Sequence, residues 1–157
     1  MLILNSCWQL EIEDAFENSE SFWASLYSDK PIRNEFLETI WKMSLTAFEK
    51  PREIQVVIDS NNDLFMSVGS ASFVAFTEMQ ELTNMKIPIK CWIHTHPFGK
   101  AYFSMTDTNT IDTWKPLMLS AIVLGDNEHQ TWMQSRNIMK HYTYARVVEM
   151  PYDLEEE

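Results

Sequence analysis

Lys90-Cys91-Trp92-Ile93-His94-Thr95-His96-Pro97-Phe98-Gly99-Lys100-Ala101-Tyr102-Phe103-Ser104-Met105-Thr106-Asp107 is the stretch from which the rest of the chain can be read. Residues 90–96 have the apolar, β-prone character of a strand, and Pro97 ends it by removing a ladder donor. Residues 97–103 then form a loop, and a helix is expected from Thr106 to Trp114. On a strand, residues two apart share a face, so His94 and His96 can aim both imidazoles at one point. Cys91 is out of phase with them and is expected on the opposite side as a small apolar residue. Ser104 and Asp107 stand three apart, one helical turn, and share a face. Two imidazoles and a carboxylate from a strand and a helix start form a standard ligand set for catalytic zinc, leaving a fourth position open to water.

Each half also has an ordinary explanation. A strand His pair can be two satisfied polar side chains. Ser104-x-x-Asp107 is a capping box, with Ser104 as N-cap and Asp107 at N3. Only the joint spacing favours chemistry.

Outward from this stretch, strands and helices alternate. Phe36, Ile40, Met43, Leu45 and Ala47 recur at roughly helical spacing between Ile32 and Phe48, with Pro31 at the start and Pro51 at the end. Glu53 to Ile58 is short and β-branched, and Asp59 to Asp63 is a turn. Further strands are expected at Leu64–Val68, Ser72–Phe76, Gln130–Met133 and Tyr142–Val148. Leu117–Leu124 is apolar without helical phase, and Thr77–Asn84 reads as helix or loop before Ile87-Pro88-Ile89. Gly125-Asp126-Asn127 signals a turn. At the N-terminus, residues 1–30 read as a β-like start over Met1–Ile12 and a polar connection with an apolar cluster at Phe22–Tyr27. The expectation is one α/β (α+β) domain, a mixed sheet sandwiched by helices, with its core over about 31–149 and an acidic tail over 150–157.

Composition narrows the function classes. The 157 residues suffice for one core. A net charge of −11 with no basic run argues against nucleic-acid binding. The tail Asp153-Leu154-Glu155-Glu156-Glu157 reads as a solvated end, with a site for a basic partner as the alternative. Two cysteines, Cys7 and Cys91, suggest neither a disulfide framework nor a thiolate metal site. No leader or membrane-length apolar stretch is visible, so a cytoplasmic protein with no membrane partner is expected. His129 and His141 lack ligand partners at suitable spacing and read as structural. The scattered Met and Trp residues read as packing.

The pattern His94-x-His96-Pro97 followed, after six residues, by Ser104-x-x-Asp107 resembles the JAMM (MPN-plus) zinc metalloproteases, which include deubiquitinases and prokaryotic relatives. The resemblance covers roughly Ile32 to Met133. It implies a JAMM/MPN-like fold of the cytidine-deaminase-like type, and one Zn2+ held by His94, His96 and Asp107. It also implies a catalytic Glu on the strand after the first long helix, which Glu53 matches, with Glu49 as the alternative. Unlike the family strand, residues 53–58 carry no glycine. Ser104 would donate to the oxyanion of the tetrahedral intermediate. The implied activity is isopeptide or peptide hydrolysis on ubiquitin, a ubiquitin-like protein or its conjugates. In the loop, Phe98, Tyr102 and Phe103 could line a substrate groove or anchor the loop to the core, with Gly99 allowing flexure. The other readings are a peptidase of phage-tail or cell-wall type and a non-catalytic MPN scaffold. A nucleobase deaminase requires a Pro-Cys-x-x-Cys run, and the chain has none.

Overall fold

A computed structural model describes residues 2–19, 22–27, 34–69 and 84–144. Helices α1 (Leu2–Glu17), α2 (Phe22–Tyr27) and α3 (Glu35–Thr46) precede strands β1 (Glu53–Ile58), β2 (Leu64–Gly69) and β3 (Cys91–Thr95). Helix α4 (Met105–Trp114) and a 3-10 turn (Lys115–Leu117) follow, and then β4 (Ser120–Gly125), β5 (Glu128–Met133) and β6 (Ile138–Thr143). The six strands form one mixed sheet in the order β2-β1-β3-β4-β5-β6. Only β3 and β4 run parallel, and α4 lies in the connection between them, as a parallel pair requires.

The sheet is buried on both faces, so its central strands are apolar almost throughout. On one face Ile54, Val56, Ile58, Cys91, Ile93, Ile122 and Leu124 pack against Trp8 and Ile12 of α1, Phe22 and Leu26 of α2, and Phe36, Leu37 and Ile40 of α3. On the other, Val57, Trp92, Ala121, Val123 and Trp132 meet Ile111 of α4, Met118, and Ala101 and Phe103 of the loop before it. Cys91 thus faces away from His94, as its phase on the strand predicts.

Helix α3 begins at Glu35. Asn34 caps it, its side-chain oxygen accepting from Leu37 N at 3.0 Å, and Glu35 and Glu38 complement the dipole in the first turn. Strand β1 occupies the predicted residues, and Asp59 closes the turn after it. Its buried carboxylate accepts from the backbone N–H groups of Asn61, Asp63 and Lys86 at 2.9–3.0 Å.

The N-terminal expectation is overturned. Residues 2–17 are helix rather than strand and connection, because Trp8, Ile12 and Ala15 recur four and three apart and are all buried, while Glu11, Glu13 and Asp14 face out. Trp8, Leu10 and Ile12 do alternate with Gln9, Glu11 and Glu13 as on a strand, but Leu10 is 57% exposed, so that alternation marks no buried face. A fully buried Ile12 contributes about 1.5–3 kcal/mol. The cluster at 22–27 is likewise helical, burying Phe22 and Leu26 four apart. The last strand runs over Ile138–Thr143 rather than from Tyr142, because Asn137 adopts φ 54° and closes the turn after β5. The expected strand at Ser72–Phe76, most of the element at Thr77–Asn84, residues 145–148 and the acidic tail lie outside the described residues. No helix among the described residues is long and apolar enough to cross a membrane.

Candidate metal centre

Three side chains converge where β3 ends and α4 begins. His94 Nε2 lies 3.0 Å from Asp107 Oδ2, and His96 Nε2 lies 3.7 Å from the same oxygen. Ligands at 2.0–2.1 Å around a tetrahedral ion stand roughly 3.3 Å apart, between these two separations. One ligand atom from each of the three residues falls within 4.8 Å of the others, so the group could hold a metal ion.

Supporting contacts set each ligand's orientation. The backbone carbonyl of Lys100 can only accept, so its 3.3 Å contact with His96 Nδ1 places a proton on that nitrogen and leaves the Nε2 lone pair for a metal. His94 is fully buried and stacks on Trp92 at 4.7 Å between centroids, and the Trp92 indole N–H donates to Gln55 Oε1 at 2.6 Å. His94 Nδ1 is buried with no hydrogen-bond partner among the described residues, so stacking on Trp92 and the Nε2 contact to Asp107 hold this ring. Asp107 Oδ2 also accepts from Ser104 N at 2.9 Å, and Ser104 Oγ accepts from Asp107 N at 3.1 Å. The capping box and the candidate metal-binding group therefore share Asp107, and neither excludes the other. The box that starts α4 orients the carboxylate that faces the two imidazoles.

The electrostatics agree with this arrangement. Burial alone would raise the Asp107 pKa, but the His94 imidazole at hydrogen-bond distance, the nearby His96 imidazole and the Ser104 amide hold it below the usual carboxylate value. Burial opposes protonation of His96, yet the neighbouring Asp107 carboxylate, the Lys100 carbonyl and the Glu53 charge together raise its pKa above 6.5.

Glu53 and Ser104 line a cleft of about 420 Å³ together with His96 and Asp107. Strand register explains the position of Glu53. Gln55 pairs with His94 across β1 and β3, and Glu53, two residues earlier, shares that face. Glu49 is exposed just beyond α3 and is not among the residues lining the cleft.

Of the three loop aromatics, Phe98 and Tyr102 line the cleft, 78% and 55% exposed, with Tyr102 edge-on to His96 at 4.9 Å. Phe103 does not line it. It is 9% exposed, packs in the core and lies 6.2 Å from the His94 ring, so its role is anchorage. The loop is also not free to flex at Gly99. Gly99 O accepts from Asp126 N at 2.9 Å, Ala101 N donates to Glu128 Oε2 at 2.7 Å, and Phe103 N donates to Gln130 Oε1 at 2.8 Å. At Gly125 the loop lies so close that an added Cβ would come within 2.8 Å of Gly99 O, which no side chain could tolerate without displacing the loop. Sequence reading singled out none of Gln55, Glu128 and Gln130. The available signal was polar residues at alternate positions of otherwise apolar strands.

The remaining imidazoles are structural. His141 pairs with Glu128 Oε1 at 2.9 Å. His129 is buried, stacks on Tyr142 at 5.0 Å and contacts the Tyr144 hydroxyl through Nδ1 at 2.7 Å. Burial, helped by the neighbouring His141, pushes its pKa from 6.5 down to about 4. The folded value lies below the unfolded one, so the unfolded chain takes up this proton first as pH falls. Stability is therefore lost between 6.5 and about 4, by about 3 kcal/mol. Thermal melts across that window should show a shallower acid limb for His129→Phe than for wild type; parallel limbs would refute the assignment.

The chain matches no protein-family model and no curated protein.

Proposed function

We propose that this chain is a zinc-dependent peptidase or isopeptidase of the JAMM type, acting on ubiquitin-like proteins or their conjugates. One observation carries the reading: His94, His96 and Asp107 converge at the edge of a cleft that Glu53 and Ser104 also line. The residues present fit zinc, since two neutral imidazoles and a carboxylate suit a borderline ion. Zinc held there would supply Lewis acidity and a water whose pKa is lowered towards about 7.

The chain's own groups do the rest. Glu53, on the cleft side of β1, takes the proton of the attacking water on its carboxylate and later hands it to the departing amine. Ser104 Oγ spends its acceptor side on Asp107 N, so the hydroxyl proton is free to donate to a developing oxyanion in the cleft. Asp107 is kept ionised by its neighbours and so remains a ligand rather than an acid. Phe98 and Tyr102 offer apolar surface at the rim for an extended chain.

The test is direct. Protein loaded with zinc is incubated with linear ubiquitin-like fusions, isopeptide-linked conjugates and a panel of plain and cell-wall peptides, with and without chelator. Cleavage of fusions or conjugates that stops with chelator and returns with zinc is expected. Cleavage of the peptides alone would move the substrate to the phage-tail or cell-wall class. Stoichiometric zinc with no cleavage at all would overturn the enzyme reading and leave a metal-bearing scaffold.

A further inference from the structure

The register that places Glu53 on the cleft side of β1 secures it on one side only: β2 pairs Gly69 with Glu53, but the β1–β3 ladder ends at Gln55 and His94. Beyond that point, on the reverse face of the sheet, a chain of hydroxyl groups takes over. Ile54 N donates to Thr95 Oγ1 at 2.9 Å, Thr95 Oγ1 and Ser44 Oγ are 2.9 Å apart, and Ser44 Oγ donates to Arg52 O at 2.6 Å. Arg52 N in turn donates to Ser44 O at 2.9 Å. Ser44 and Thr95 are both fully buried.

The directions of these bonds admit one arrangement. An amide N–H can only donate, so Thr95 Oγ1 accepts from Ile54. A carbonyl can only accept, so Ser44 uses its single proton on Arg52 O. The proton between the two hydroxyls must then belong to Thr95. Each hydroxyl donates once and accepts once, and the chain closes with no spare proton. Its two ends are the carbonyl of Arg52 and the amide of Ile54, which belong to the peptide units on either side of the Glu53 Cα. Fixing both peptide planes fixes the φ and ψ of Glu53. Thr95 lies between His94 and His96 in sequence but faces away from them, so one strand carries two ligands forward and the anchor backward.

We propose that Thr95 and Ser44 are positioning residues for Glu53, setting its distance to the centre formed by His94, His96 and Asp107. The proposal rests on Glu53 as the base. A base held from the β2 side alone would sample positions about 1 Å away, and such a displacement costs on the order of 100-fold in rate.

The test uses the zinc-loaded full chain and three variants: Thr95→Val, which keeps the shape and removes the hydroxyl, Thr95→Ser, which keeps it, and Ser44→Ala. Four quantities are read: kcat and KM on the substrate identified by the cleavage panel, zinc affinity by chelator competition, and hydrogen exchange at the Ile54 amide. For Thr95→Val, kcat should fall roughly 10- to 100-fold while KM and zinc affinity stay within about twofold, because the interaction removed acts on the reacting step alone. The Ile54 amide should exchange faster, and Thr95→Ser should restore both kcat and protection. Should Thr95→Val fail to fold, Ser44→Ala makes the same comparison. Unchanged kcat, a loss that Thr95→Ser does not rescue, or an equal loss of zinc affinity would each overturn the proposal. Absence of turnover in the wild type would overturn the hydrolase reading instead, and unaltered Ile54 exchange in the variants would then remove the hydroxyl chain as well.

Discussion

Glu53→Gln should retain one zinc per chain and lose turnover by about 10²- to 10⁴-fold, the range that a positioned general base contributes. The amide keeps the length and polarity of the carboxylate at the start of β1, so the ladder to Gly69 and the hydroxyl chain behind it should persist. What disappears, under the proposed mechanism, is the group that holds a proton between water and leaving amine. Glu53 is half-buried and is not one of the three metal-site residues, so zinc content and thermal midpoint should stay near wild type. Its negative charge contributes to the raised His96 pKa, so the metal-free variant should show that value lowered. Zinc analysis beside single-turnover rates checks both halves. Full activity would remove Glu53 from the chemistry, and co-loss of zinc would make it a ligand or a ligand support.

Asp107→Ala should have the second large effect, on both metal and fold. One oxygen of Asp107 faces two imidazoles and receives the Ser104 amide, while its backbone N–H caps onto Ser104 Oγ. Truncation removes a ligand, so stoichiometric zinc and all turnover should vanish. It also removes half of the capping box, worth about 1 kcal/mol, and strips a buried His94 nitrogen of its partner at about 1–3 kcal/mol. The metal-free protein should therefore lose about 2–4 kcal/mol by the same principles. Asp107→Asn separates the two roles: the amide oxygen still accepts from Ser104 N and the melt should recover, while zinc binding stays weak. Denaturant unfolding of the chelated proteins, with zinc titration in parallel, reads both. Wild-type zinc affinity in Asp107→Ala would rule the site out.

How far the sequence carries the structure depends on which forces act locally. The strand at Glu53–Ile58, the loop from Pro97 to Phe103 and helix α4 follow from β-branched runs, proline placement and a capping box, all within a few residues. The convergence of His94 and His96 needs only the pleat. The N-terminal helix is hard to read because Trp8, Leu10 and Ile12 alternate with polar residues in strand fashion, and the exposure of Leu10 and burial of Trp8 and Ile12 become evident only against the sheet the helix covers. The choice between groove and anchor for each loop aromatic is hidden for a different reason. Gly99 and three aromatics look flexible and binding-prone, but Glu128 and Gln130, more than twenty residues downstream, hold the backbone and turn Phe103 inward. Contacts at that separation leave no local trace. Thr95 is the instructive case: it sits inside the most telling motif of the chain, yet its work lies on the opposite face of the sheet.

The bonds that hold the loop have one more consequence. His96 N reaches Leu124 O, Gly99 O takes Asp126 N, Ala101 N meets Glu128 and Phe103 N meets Gln130, so the loop advances in step with the β4–β5 hairpin. The hairpin thus acts as a ruler, and the seven residues between His96 and Ser104 are a length measured out along it. A single insertion or deletion would put each later backbone group opposite the wrong tooth and carry Asp107 away from the imidazoles. The fixed interval in the motif is then a property of the sheet beneath it, and side-chain exchanges in the loop are cheaper than any change in its count.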